Sequence, residues 1–106
     1  MATKIVKNKP APKKKRPYVV VRTYSAGVHF GELAARKGQE VALVNARRLW
    51  MWKGAFTLHE VAHEGIKEGS KPSVAVSEIT LTQAIEVIKV SPAAEKILRE
   101  FPACRP

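Results

Sequence analysis

From Tyr18 to Val90 the apolar residues come in short runs, and a glycine, a proline or a polar pair interrupts each run before it could support a long helix. Such punctuation restricts the chain to short strands with tight connections and a few short helices. Tyr18-Val19-Val20-Val21-Arg22-Thr23-Tyr24 is rich in β-branched and aromatic side chains and predicts a first strand, which Ser25-Ala26-Gly27 ends in a turn. Val28 to Ala34 predicts a second strand. Arg36-Lys37-Gly38-Gln39 reads as a hairpin, with Gly38 where positive φ is needed, and it leads into a third strand, Val41 to Val44. A kink at Asn45-Ala46 then separates a fourth strand, Arg47 to Trp52. Its alternation sets Arg48, Trp50 and Trp52 on one face and Arg47, Leu49 and Met51 on the other.

Two segments switch to helical spacing. Leu58, Val61, Ala62 and Ile66 share a face of a helix from Thr57 to Ile66, and Thr57 with Glu60 makes a capping box. After a polar loop through Pro72, Val74 to Leu81 and Ala84 to Val90 predict two more strands, with Ile79, Leu81, Ile85 and Val87 in one parity. Ser91 caps a last helix with Pro92 at its first position. Ala94, Ile97, Leu98 and Phe101 form its apolar stripe, and Pro102 stops it. The order of four strands, a helix, two strands and a helix predicts an α+β fold: a small antiparallel β-rich domain with two short helices, of which a partly open barrel is one form. Leu43, Leu49, Val61, Ile79, Ile97 and Phe101 are expected in one core, and 106 residues suffice for one core only.

The charge is segregated. The chain carries 19 Lys and Arg against 9 acids, for a net +10. Residues 1–17 hold 7 of the cations (Lys4, Lys7, Lys9, Lys13, Lys14, Lys15 and Arg16) and no acid. A charged stretch with no apolar face buries too little surface to offset its ordering entropy, and Pro10, Pro12 and Pro17 keep it extended. Residues 1–17 are therefore expected to be a basic arm, disordered when free, ahead of a single domain over 18–106. Pro12-Lys13-Lys14-Lys15-Arg16 has the form of a nuclear localisation signal, of a solubilising tail, and of an arm that contacts a polyanion. Nucleic acid and an acidic protein surface are the partners it suits.

Cys104 is the sole cysteine, which rules out an intrachain disulfide and a cysteine-built metal site. No apolar run approaches the ~20 residues of a membrane span, and the basic N-terminus lacks the apolar core of a signal peptide. An intracellular protein with no membrane partner is expected. Neither a dinucleotide-binding glycine pattern nor a P-loop is present, and no cofactor is expected.

His59-Glu60-Val61-Ala62-His63 matches the H-E-x-x-H pattern, which in zinc peptidases places two imidazoles on one helix face beside a glutamate base. Several features count against a metal here. His59 follows the helix cap almost at once, Glu60 is explained by the capping box, no third-ligand motif follows Gly65, and the apolar stripe turns both histidines toward solvent. Ser25 near His29 reads as turn chemistry rather than as a nucleophile. Arg47-Arg48-Leu49-Trp50-Met51-Trp52-Lys53 interleaves cations with aromatics. Arg47, Arg48, Trp50, Trp52 and Lys53 fit either a surface where bases stack and phosphates pair, or a core and subunit contact flanked by cations.

Tyr24-Ser25-Ala26-Gly27-Val28-His29-Phe30-Gly31, followed by Val41 through Asn45-Ala46-Arg47-Arg48-Leu49-Trp50-Met51-Trp52-Lys53-Gly54-Ala55, resembles a family of small tailed-bacteriophage proteins of unknown function. The similarity runs from Tyr18 to Val90 and leaves out the arm and the tail after Ser91. The resemblance implies a phage origin, with a location in the bacterial host cytoplasm and the virion, and it implies no activity. The two histidines of the helix lie outside the family's pattern. The expected function is that of a non-enzymatic phage accessory or virion-associated protein, whose body assembles as a homo-oligomer or within the phage and whose arm docks onto nucleic acid or an acidic surface. Its rivals are a host-directed inhibitor that binds a nucleotide or a host protein, and a small zinc metallopeptidase.

Overall fold

The structure is a computed structural model and describes residues 16–104. The expected disorder of the arm and the positions of Lys4, Lys7, Lys9, Lys13, Lys14 and Lys15 lie outside the described residues. Among the described residues, six strands and two helices follow one another: β1 (Tyr18–Thr23), β2 (Val28–Lys37), β3 (Glu40–Met51), α1 (Leu58–Glu64), β4 (Lys71–Pro72), β5 (Val76–Leu81), β6 (Ala84–Lys89) and α2 (Pro92–Glu100). All strand pairings are antiparallel.

The sheet runs β4-β3-β2-β1-β6, with β5 also on β3. The long β3 carries β2 along one edge. Its other edge pairs with β5 over Val41 to Ala46 and with β4 over Leu49 to Met51. Leu81 is the partner of Val41 on β3, whereas Ala84 is the partner of Thr23 on β1. Thr82-Gln83 thus carries the chain from one side of the sheet to the other. Backbone bonds from Ala84 to the Gln39 carbonyl (3.0 Å) and from Tyr24 to the Gln83 carbonyl (2.9 Å) fasten this corner. The sheet curls so that its sides approach there, but β5 and β6 do not pair, and the sheet is not closed into a barrel.

Curling gives the sheet two cores. Tyr18 and Val20 of β1 join Phe30, Leu49, Val61, Ile66, Ala94 and Leu98 under the helices. Val19 and Val21, pointing the other way, join Val41, Leu43, Ala46 and Leu81 inside the curl. That is why the start of β1 is apolar without alternation: both of its faces are buried. The six residues expected in one core divide accordingly. Leu49, Val61 and Phe101 belong to the first cluster and Leu43 and Ile79 to the second, while Ile97 on α2 is 40% exposed.

The two strands expected on either side of Asn45-Ala46 are one strand with a bulge. Glu32 pairs with Val44 and Phe30 with Arg47, so Asn45 and Ala46 together face Gly31. Asn45 takes a left-handed φ of 51°, which its short polar side chain tolerates, and its Nδ2 donates to Glu32 (3.1 Å). Gly31 has no side chain because there is no room for one: a Cβ would lie 2.9 Å from the Ala46 Cα. The extra residue changes the parity of β3. Arg47 and Leu49 turn under the helices, and Ala46 and Arg48 fall on the opposite face.

The helices begin as the sequence predicts. Thr57 Oγ1 accepts from the Glu60 amide at 3.4 Å, and the Glu60 carboxylate accepts from Phe56 N (2.5 Å), one residue earlier than a capping box requires. Gly65, at φ 86°, ends α1 two residues before the expected limit. Ser91 Oγ accepts from Ala94 N (3.1 Å) and donates to the His63 carbonyl (2.7 Å), so the cap of α2 also ties it to the end of α1.

Candidate functional site

The cation- and aromatic-rich run at the end of β3 is divided by the fold. Arg47 is 6% exposed. Its Nε donates to the Ser73 carbonyl (2.7 Å), its Nη1 donates to the Leu98 carbonyl (2.8 Å), and its guanidinium lies 5.8 Å from the centre of the Phe30 ring. It fastens α2 and the β4–β5 connection to the sheet. Burial pulls its pKa below the ordinary arginine value, a pull that Tyr18 opposes. Trp52, just past the strand end, is half-buried against the core under the helices. Lys53 is exposed, and its amide donates to Ser70 Oγ (2.8 Å).

Trp50 is different. Its side chain is 73% exposed, and Lys71 of the paired strand β4 holds its Nζ 5.4 Å from the ring centre. This is a cation–π contact at a surface where the indole face is otherwise open to a ligand. Lys71 could not be connected to Trp50 from the sequence, because the pairing of β3 with β4 spans a helix and a loop.

On the same face of β3, Arg48 turns toward His29. The two are register partners across β2 and β3, so the fold sets the resembling V-H-F-G and N-A-R-R-L-W stretches side by side. His29 is 2% exposed, and its Nε2 accepts from Arg48 Nε (3.2 Å). Burial and then the Arg48 charge hold its pKa down to about 4. The ring is neutral near pH 7, and with Nε2 accepting, its proton sits on Nδ1. Among the described residues, that buried N–H has no partner. Beside the pair lies a cavity of about 280 Å³ lined by His29, Ala46, Arg48, Ser73, Val76 and Ile79. Neither tryptophan lines it. The Ser73 hydroxyl is already engaged, accepting from the Arg48 amide (2.9 Å) and donating to the Val74 carbonyl (2.8 Å).

The remaining sequence candidates have local roles. Arg16, the one arm cation among the described residues, stands 3.8 Å from Glu32. Glu32 also binds Arg99 (2.9 Å), whose guanidinium lies 4.5 Å from the centre of the Tyr18 ring. Burial raises the Glu32 pKa, but hydrogen bonds from Asn45 and Arg99 outweigh it and leave the carboxyl below its ordinary value. Ser25 Oγ donates to Gln83 Oε1 (2.7 Å), away from His29, in keeping with a turn. His59 and His63 are exposed on α1, and among the described residues no three His, Cys, Asp or Glu side chains gather to hold a metal. No helix among the described residues is long and apolar enough to cross a membrane.

A family model described as a domain of unknown function (DUF6948) matches residues 16–98. No curated protein and no solved structure matches the chain.

Proposed function

The chain belongs to the DUF6948 family, whose description assigns no activity, and from its own residues we propose that it is a non-enzymatic nucleic-acid-binding protein, a bacteriophage accessory or virion-associated component. In this reading the cations of residues 1–16 supply the electrostatic attraction to phosphates, and Trp50 supplies a platform on which a base stacks.

Trp50 carries the reading. A tryptophan is a large apolar side chain that packing normally recruits, and a neighbouring one, Trp52, is half-buried. Trp50 instead stands open with Lys71 at its ring and Lys53 exposed at the strand end. An exposed aromatic face among cations suits single-stranded nucleic acid, whose bases stack without regard to sequence while phosphates meet the charges. The phage origin rests on the sequence resemblance, and mass spectrometry of purified virions tests it.

Binding of a fluorescent single-stranded oligonucleotide, titrated over a range of salt, tests the reading on the full-length protein. With about five phosphates neutralised, log affinity for a single strand should fall against log salt with a slope of roughly −3.5. Replacing Lys13, Lys14 and Lys15 by Gln should make that slope shallower by about 2. Trp50→Ala should leave the slope and lower the affinity about tenfold, the loss of one stacked base. No binding at low salt would end the nucleic-acid reading and direct the arm to an acidic protein surface. Equal affinities for wild type and Trp50→Ala would remove Trp50 from it.

A further inference from the structure

The sheet ends at β6, and the outer side of that strand is unused. Val90 N donates to the Tyr18 carbonyl (2.9 Å), one step beyond the register pair of Val19 and Lys89, so Tyr18 and Val90 are a hydrogen-bonded pair of the ladder. Such pairs alternate along an antiparallel ladder, so Ile88 and Glu86 also turn their backbone groups toward β1. Val87 and Lys89 therefore turn theirs outward, and among the described residues nothing meets their N–H or C=O groups. Folds that stay monomeric guard such an edge with a proline, a bulge, charge or a very short strand. Here β4 has only 2 residues, and β5 exposes Ser77, Glu78 and Thr80. β6 is less guarded: Ile85 is 47% exposed, Val87 and Ile88 are half-buried, and the bulge at its start leaves Glu86 to Lys89 in regular register.

We propose that β6 is the edge along which two copies of this chain pair, antiparallel about a two-fold axis at Ile88. Outward-facing residues must oppose one another for bonds to form, which sets Val87 opposite Lys89 of the other copy and Ile88 opposite Ile88. Every outward group of Val87 and Lys89 is then used, in about four bonds. A register centred on Val87 would need Ile85, which the bulge opposite Arg22 and Thr23 displaces. One centred on Glu86 would set two carboxylates face to face. With the axis at Ile88 no like charges oppose: Lys89 meets Val87, and Glu86 meets Val90. The axis is normal to the sheet and keeps both helix layers on one side. Ile88 and Glu86 of each copy thus reach the groove of about 290 Å³ between α1 and β6 of the other. That groove is lined by His59, His63 and Lys89 and by no acid, which suits the incoming carboxylate. A second copy of the same edge therefore matches it in bonding, apolar pattern and charge.

A single strand pair buries less than the ~1,200 Å² of a standard interface, so the dimer should be weak, with a micromolar Kd. The test is analytical ultracentrifugation of the full-length protein without nucleic acid, so its outcome is separate from that of the oligonucleotide assay. Wild type should pass from monomer to dimer as its concentration is raised into the hundreds of micromolar. Lys89→Pro removes an outward N–H but no bond to β1, and should stay monomeric. A second measurement does not depend on how the strand takes the proline. Non-hydrogen-bonded partners bring their Cα atoms to about 4.5 Å, within reach of a disulfide. Ile88→Cys combined with Cys104→Ser should therefore link two copies through position 88 under mild oxidation. Glu78→Cys with Cys104→Ser, on the exposed β5, should not link. The proposal is overturned if wild type stays monomeric throughout, if folded Lys89→Pro dimerises like wild type, or if Ile88→Cys links no faster than Glu78→Cys. The first outcome would leave the edge to a strand of another protein.

Discussion

Acid should begin to destabilise this protein below about pH 6.5, because His29 is buried in its neutral form. In the unfolded chain the imidazole titrates near its ordinary value of 6.5, whereas in the folded protein burial and Arg48 hold it to about 4. Between these values the unfolded chain binds a proton that the native state does not, so unfolding is favoured as pH falls. The contribution of His29 is complete above pH 6.5, declines through the window, and is gone below about 4. At 1.36 kcal/mol per unit, it amounts to about 2 kcal/mol lost between pH 7 and pH 5, and about 3 kcal/mol by pH 4. The first of these ranges is the one to measure, since Glu32 titrates below it. Urea unfolding at half-unit pH intervals gives the stability of wild type and of His29→Gln, which has no titrating ring. The wild-type curve should fall more steeply, and the gap between the two should change by about 2 kcal/mol from pH 7 to pH 5. Parallel curves would mean that His29 is not held neutral, and the tautomer assigned to its ring would lose its basis.

Arg47→Met should cost about 3 kcal/mol in urea unfolding, because it strips the Ser73 and Leu98 carbonyls of their donors; a cost below about 1 kcal/mol would show that Arg47 does not hold α2 to the sheet. Gly31→Ala should cost about 1–3 kcal/mol, since its methyl group meets the Ala46 backbone rather than a side chain that could rotate away, and an unchanged unfolding midpoint would contradict the tight bulge. His59→Ala with His63→Ala should leave the unfolding curve within about 0.5 kcal/mol of wild type, as for other exposed positions. Protein purified without added metal should contain no stoichiometric zinc, and one tightly held zinc per chain would restore the peptidase reading.

How far the fold could be read in advance depended on how local its causes were. The start of α2 was legible from Ser91 and Pro92, because a cap and an N-terminal proline act within one turn. The Gly38 hairpin was legible for the same reason, its φ of 58° being a property of the turn alone. Asn45-Ala46 was recognised as a break, but sequence cannot tell a break between strands from a bulge within one, since the difference lies in whether β2 keeps pairing across it. That distinction decides the candidate site: the bulge turns Arg47 inward and sets Arg48 beside His29. His29 was read within a strand from Val28 to Ala34, but its burial was not legible, because V-H-F-G has no alternation to show which face is buried, and β2 in fact has a core on each side.

By itself the sequence determined the segregation of charge, the short-strand and short-helix composition, the caps and turns, and the alternation that sets Arg47 and Leu49 opposite Arg48 and Trp50. Each follows from residue type and from neighbours a few positions away. Only the tertiary structure decided that the sheet curls without closing, that two cores replace one, that Lys71 meets Trp50, and that His29 is buried against Arg48 with an unpartnered N–H. Each of those depends on which strand lies beside which. Pairing of that kind brings together residues as distant as Leu81 and Val41, or Arg47 and Leu98, and no local propensity encodes their distance.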